Sequence, residues 1–210
     1  MKLADLWHDN PSVAFWEPHR LLISEEILST SSKAQRGSGF ELAYGFHASP
    51  FGEVILISHH RGLVGLGFVI SQDRAAALKD MQGRWPAADF RHAPQVTAPL
   101  AQIVFAPPKA VGEEKLSLFM LGSAFETMVW RGLLRIPAGQ TTTYSALAAD
   151  LGRPQAARAI GSAVGRNPLA LLVPCHRVLG RNGALTGYHW GLACKQAILH
   201  YERGLSQFKD

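Results

Sequence analysis

Cysteine is scarce in this chain, with Cys175 and Cys194 the two thiols in 210 residues. Two thiols cannot make a disulfide framework, and these do not stand at a zinc-site spacing, so both are expected reduced and no metal site built from cysteines is expected. Long apolar runs are absent as well. The N-terminus carries Asp5, His8, Asp9 and Pro11 where an export leader would place a basic stretch and then an apolar one. A soluble, cytoplasmic protein without membrane contact is the expectation. Acidic side chains are sparse in one part of the chain. Residues 121 to 210 hold ten Lys or Arg against four Asp or Glu, whereas residues 1 to 120 hold eleven against twelve. A domain-sized cationic surface raises the potential towards polyanions and speeds encounter with nucleic acid, although an ordinary solvated basic face has the same composition.

The 47% hydrophobic content is enough to bury a proper core in one large or two small domains. From Phe40 to Ile70, apolar runs alternate with Pro-Phe-Gly and His-Arg-Gly punctuation, which predicts three antiparallel strands. Ala75, Leu78, Met81 and Gln82 recur at helical spacing between Asp73 and Trp85, and Pro86 ends that helix. Pro99 to Val111, with adjacent prolines at 107 and 108, reads as a connection between domains. From Ser123 the pattern is helical, with Phe125, Met128, Val129, Leu133 and Leu134 on one face. Thr143 is a candidate N-cap for Tyr144 to Leu151, which stops at Gly152, and a second short helix starts near Pro154 and runs through Gln155 to Val164. The expected organisation is an N-terminal extension without assigned role over 1–39, an α/β domain with an antiparallel sheet and helix over 40–110, and a mainly α helix-turn-helix domain over 120–205.

Chemistry concentrates in Val173-Pro174-Cys175-His176-Arg177-Val178. A thiol is mostly protonated at neutral pH, so a cysteine that attacks needs a base or a cation nearby, and Cys175 has both beside it. The alternative is a small buried hydrophobe following a strand, the usual place of a free cysteine. Upstream stands Arg153-Pro154-Gln155-Ala156-Ala157-Arg158-Ala159-Ile160-Gly161-Ser162-Ala163-Val164-Gly165-Arg166-Asn167-Pro168, and downstream Gly187-Tyr188-His189-Trp190-Gly191-Leu192-Ala193-Cys194-Lys195. Taken with PCHRV, these segments closely resemble the O6-alkylguanine-DNA alkyltransferases, or methylated-DNA–protein-cysteine methyltransferases. The resemblance is specific over about residues 120 to 204. It is looser over about 40 to 110, where Tyr44 to Gly52 looks like the family's first strand, and it does not reach 1–39.

The resemblance implies a ribonuclease H-like N-terminal domain and irreversible transfer of an alkyl group from guanine O6, or thymine O4, to Cys175. The reaction would occur once per molecule, without cofactor, by a monomer acting on double-stranded DNA. His176 would polarise the thiol through a water, and Glu202 would fix the imidazole tautomer. Arg177 would pack or pair structurally. The lesion lies on the pairing edge, so the nucleotide must be flipped out. Arg158 would fill the gap it leaves, and Tyr144 would crowd the 3′ phosphate and donate a proton to guanine N3. Ala157 and Gly161 belong to a helix whose small residues offer little to read at base edges, which suits sequence-blind entry into the minor groove. Asn167 would be the hinge that holds Cys175 in place. The carbonyls of Cys175 and Val178 would accept the guanine amine, and Tyr188, His189 and Trp190 would cover the base, with the His189 amide facing O6. Trp190 stands where mammalian relatives have a small residue, and Ala170 where they have proline, so bulky adducts would fit poorly.

Competing readings weigh against particular residues. A cysteine hydrolase could use Cys, His and a carboxylate, but adjacent Cys and His on one strand would need a bridging water, and the basic helix pair would have no purpose. A non-catalytic binder of alkylated DNA would lack the thiol. A transcription regulator would need a further DNA-binding domain, for which residues 1 to 39 are too short.

Overall fold

The computed structural model describes residues 22–29, 34–105 and 115–206. Pro50-Phe51-Gly52 and His60-Arg61-Gly62 turn the chain back twice, which gives the expected antiparallel trio β2 (Glu41–Ser49), β3 (Gly52–His59) and β4 (Gly62–Phe68). Gly62 has φ 139°, and a Cβ there would lie 2.3 Å from the Ser117 carbonyl oxygen, so only glycine allows the neighbouring strand so close.

That neighbour is β6 (Lys115–Gly122), which lies parallel to β4 and also to β1 (Leu22–Ser29). With β5 (Asp89–His92) parallel to β2, the six-stranded order is β1-β6-β4-β3-β2-β5. The sheet is therefore mixed, which corrects the antiparallel expectation. Two boundaries change with it. Residues 22–29 are a sheet strand and not part of an extension, whereas residues 1–21 lie outside the described residues. The segment expected to link two domains begins as a helix, and the strand that follows 106–114 returns to the same sheet. Both departures have one cause: strands buried on parallel neighbours carry no alternation and read ambiguously as short apolar runs.

Helix α1 (Arg74–Arg84) starts where Asp73 accepts the Ala76 amide at 2.8 Å and ends before Trp85. Helix α2 (Pro94–Phe105) holds Pro99 within it. Helix α3 (Ala124–Leu134) opens on a capping box: Ser123 Oγ accepts the Glu126 amide at 3.2 Å, and Glu126 Oε2 accepts the Ser123 amide at 2.8 Å. The buried Glu126 carboxylate also receives Arg36 at 2.9 Å and Arg166 at 2.5 Å. Burial alone would raise its pKa, but these donors outweigh burial and bring it to about 2.

Thr143 caps α4 (Tyr144–Asp150) by accepting the Ala146 amide at 3.1 Å, as expected. After Gly152, Pro154–Ala156 forms a 3₁₀ turn, and the second helix proper is α5 (Ala157–Gly165), shorter than its sequence pattern indicated. Trp130 of α3 donates to the Ala163 carbonyl at 3.0 Å, which locks α5 onto the core. A two-stranded parallel pair, β7 (Thr142–Thr143) with β8 (Val178–Leu179), joins the start of α4 to the cysteine segment, and α6 (Leu192–Ser206) closes the chain. Among the described residues no helix is long and apolar enough to cross a membrane.

Candidate active site

The segment that carries the cysteine is tied to the sheet before it reaches the thiol. Leu66 of β4 donates to the Pro168 carbonyl and accepts the Ala170 amide, both at 2.9 Å. Leu171 then takes φ 71°, a left-handed conformation rare for a branched apolar residue and held here by complete surrounding burial. Cys175, His176 and Arg177 form a buried 3₁₀ turn, which corrects the expectation of Cys and His adjacent on a strand. On a turn of about three residues, neighbouring side chains diverge without alternating across a sheet face.

Asn167 organises this turn. Its Nδ2 donates to the Val173 carbonyl at 2.8 Å and the Leu169 carbonyl at 3.3 Å and reaches Cys175 Sγ at 3.2 Å, while its Oδ1 accepts the Leu169 amide at 3.0 Å. The residue that the sequence assigned as a hinge thus touches the sulfur as well. Burial pushes the Cys175 thiol above its ordinary pKa, opposed by the Asn167 hydrogen bond and by the positive charges of Arg84 and Lys195.

His176 Nε2 lies 3.0 Å from Glu202 Oε1, and both side chains are fully buried. The carboxylate therefore holds the ring proton on Nε2 and leaves Nδ1 as the acceptor nitrogen. Nδ1 is buried with no hydrogen-bond partner among the described residues. Arg177 supplies the counter-charge, its Nη2 donating to Glu202 Oε1 at 2.6 Å and its Nε to Oε2 at 3.0 Å, and it also reaches the Ile136 carbonyl at 2.5 Å. Glu202 is thus a fully buried carboxylate held between His176 and Arg177. Burial would raise its pKa, but the His176 and Arg177 contacts prevail and bring it to about 2. Burial lowers the pKa of His176, with Glu202 opposing the shift.

Lys195 also stands at this centre, although the sequence reading does not assign it to the site. It is fully buried, and its Nζ donates to the Val178 carbonyl at 2.6 Å and the Thr186 carbonyl at 2.8 Å. Burial lowers its pKa to about 8 against the pull of the Cys175 thiolate. The signal was in the sequence: Lys195, Ile198, Leu199 and Glu202 share one helical face, so two charges occupy positions reserved for the core. The Val178 carbonyl expected to meet the guanine amine already accepts from Lys195, and its second lone pair is what remains for a ligand.

Other expected site residues fall around this centre. The Tyr144 hydroxyl donates to the Gly187 carbonyl at 3.1 Å, which joins α4 to the loop 187–190. A Cβ on Gly161 would lie 3.6 Å from the Tyr144 ring, so this residue faces the tyrosine and not the outer surface of α5. That outer surface consists of exposed Arg158, Ala159 and Ser162, with Ala157 half-buried beside them. Tyr188 is half-buried, and its hydroxyl is covered without a partner among the described residues. The exposed His189 ring pairs with Asp80 Oδ1 at 2.7 Å. Trp190 is buried with its six-membered ring against Gly67 and Met81, at distances of 2.4 to 2.6 Å from where a Gly67 Cβ would be. The indole thus packs against β4 and α1, with the Arg84 guanidinium 5.6 Å from its ring centre. Cys194 is partly buried, with burial raising its pKa to about 12.

A buried thiol held by the Asn167 amide shares its turn with a histidine that a carboxylate of α6 holds, an arrangement that can orient one cysteine for nucleophilic attack. Residues 124–204 match the family profile of the 6-O-methylguanine DNA methyltransferase, DNA binding domain. The chain is 35% identical over 161 residues to a methylated-DNA–protein-cysteine methyltransferase of Methanosarcina acetivorans, covering 76% of this chain and 97% of that one. The chain belongs to the methylated-DNA–protein-cysteine methyltransferase family. It is also 32% identical over 182 residues to the bifunctional transcriptional activator/DNA repair enzyme Ada of Escherichia coli, and it spans about half, 51%, of that relative's length. The fold matches a crystal structure of Mycobacterium tuberculosis OGT in complex with DNA at TM-score 0.60 and 32% identity, covering 78% of this chain and 93% of that one.

Proposed function

We propose that this protein repairs DNA directly by moving a methyl group from O6 of guanine, or O4 of thymine, onto its own Cys175. The observation that carries the reading is the contact between Asn167 Nδ2 and Cys175 Sγ within a turn whose histidine is held by a buried carboxylate. With Nε2 committed to Glu202, His176 Nδ1 accepts the thiol proton through a bridging water. The thiolate attacks the methyl carbon in line. A C–S bond forms, the C–O6 bond breaks, and its electron pair passes to the guanine, which Tyr144 protonates at N3 after leaving the Gly187 carbonyl. The product is a thioether, and nothing in the site restores the thiolate, so each molecule reacts once. The donor is the lesion itself, and no cofactor enters the balance.

In this reading α4, the Gly152–Ala156 turn and α5 act as a helix-turn-helix whose small-residue face enters the minor groove of duplex DNA. Arg158 fills the stack left by the flipped nucleotide, and Tyr188 and His189 cover the base. The sheet with α1 and α2 forms a ribonuclease H-like unit, and the protein works as a monomer in the cytoplasm. Intact-mass measurement after mixing with O6-methylguanine duplex tests the proposal. One added methyl per molecule, mapped to the Cys175 peptide, is expected; DNA binding without mass gain would leave a lesion binder.

Arg158→Ala should slow repair in duplex DNA far more than reaction with the free base O6-benzylguanine, because the arginine serves flipping and not sulfur chemistry. Comparison of single-turnover rates on the two substrates checks this. Equal losses would make Arg158 structural. Affinity for undamaged duplex should fall modestly and keep its salt dependence, since other cations remain.

A further inference from the structure

Arg84 is a buried cation on α1 that the chemistry above does not use. It is 9% exposed and lies in the half of the chain remote in sequence from Cys175. Its Nη1 donates to the backbone carbonyl of Asn167 at 2.9 Å, its Nε donates to Asp80 at 2.8 Å, and its guanidinium lies 5.6 Å from the centre of the Trp190 ring. Asp80, one turn earlier on α1, holds His189 with its other oxygen at 2.7 Å, and the His189 and Trp190 rings meet edge to face at 4.7 Å. The four side chains close a ring between α1 and the loop 187–190, and Arg84 extends from that ring to the backbone of the residue that touches the sulfur.

We propose that Arg84 is a positioning residue for methyl transfer, fixing the Asn167 hinge and, with Asp80, the loop over the base in one rigid frame with the thiol. The inference rests on Cys175 being the alkyl acceptor. Three donors in a planar fork let one side chain hold the hinge carbonyl and the Asp80 carboxylate at once while stacking on an indole, which an ammonium cannot do. The same cation also lies close enough to favour the thiolate. The groups bearing electrostatically on Cys175 are Arg84 from α1, Lys195 and Cys194 from α6, Tyr144 from α4 and Tyr188 from the loop, and Arg84 is the cation that the N-terminal half contributes. Burial lowers the pKa of His176, in the same turn, against the pull of Glu202.

The test uses the full chain and the variants Arg84→Met, which keeps the packing on Trp190, and Arg84→Lys, which keeps the charge. Two readouts are needed: the single-turnover rate on O6-methylguanine duplex, and the pH dependence of iodoacetamide alkylation at the Cys175 peptide. Arg84→Met should slow methyl transfer about tenfold or more and move the alkylation profile to higher pH, with affinity for undamaged duplex within about twofold of wild type. Arg84→Lys should keep the profile and still lose rate, because it cannot hold Asp80 and the hinge together. A wild-type rate and profile in folded Arg84→Met would overturn the proposal, whatever the change in Tm. If Arg84→Met does not fold, Arg84→Lys decides, and a wild-type rate there would overturn it equally. Wild-type methyl uptake measured alongside separates the two failures: no uptake by wild type removes the repair reading, whereas uptake with unaffected variants removes only the role of Arg84.

Discussion

Cys175→Ala should take up no methyl from O6-methylguanine duplex, to the limit of detection, while it binds undamaged duplex with close to wild-type affinity. The sulfur lies on a buried turn, whereas α5 presents Arg158, Ala159 and Ser162 to the outside. Cys194 cannot substitute for it. Burial holds that thiol near a pKa of about 12, it has no histidine beside it, and it lies outside the Asn167 cradle. Intact mass and a filter or anisotropy binding assay check the two halves of the expectation. Methyl transfer that persisted on Cys194 would remove Cys175 from the mechanism, and loss of binding together with transfer would mean that the substitution had disturbed the scaffold. Stability should change little, since alanine removes one small buried group and leaves Asn167 with the carbonyls of Val173 and Leu169.

The second large effect belongs to Glu202. Glu202→Ala would leave Arg177 and the Nε2 proton of His176 buried without their acceptor, and removing one partner of a buried ion pair costs about 3–5 kcal/mol. Glu202→Gln keeps the shape but can no longer enforce the tautomer or balance Arg177, so methyl transfer should fall roughly a hundredfold or more while the protein remains folded. Denaturant titrations and single-turnover rates separate these outcomes. The pH dependence of stability follows from the same residue. The folded pKa of Glu202, about 2, lies below its ordinary 4.5, so the carboxylate stabilises the fold fully above pH 4.5 and loses that contribution as the pH falls towards 2. Glu126, also brought from 4.5 to about 2, acts in the same direction. His176, whose pKa burial lowers, adds a loss that begins as the pH drops through its ordinary 6.5. Stability should therefore decline steadily on acidification from neutrality. The decline should be shallower in Glu202→Gln, and an equal slope in variant and wild type would show that the buried carboxylate is not linked to folding.

Much of the site was legible because its residues are close in sequence or mark element ends. Asn167 and Cys175 lie in one short segment, where turn composition marked the first and thiol chemistry the second, and the family resemblance implied the connection between them. Thr143 and Ser123 announce their helices through caps, which are local rules of the backbone. Glu202 could be assigned by resemblance, but its full burial and its bidentate pairing with Arg177 depend on α6 packing against the cysteine turn. Trp190 shows the opposite outcome. Its place in the loop was evident, yet the direction of its ring was set by Gly67 and Met81, more than a hundred residues earlier.

The sequence alone determined the three antiparallel strands, the starts of α1, α3 and α4, the segment that carries the cysteine and the concentration of positive charge beyond residue 120, because local propensity, capping and composition act over a few residues at a time. Only the tertiary structure decided that β1 and β6 enter the same sheet as the central strands, since parallel strands pair across long connections and show no alternating pattern. It alone also decided that Lys195 is buried on the Val178 carbonyl and that Arg84 reaches the Asn167 backbone. A buried charge is stable only where distant segments supply its partners, and which segments meet is settled by packing of the whole chain.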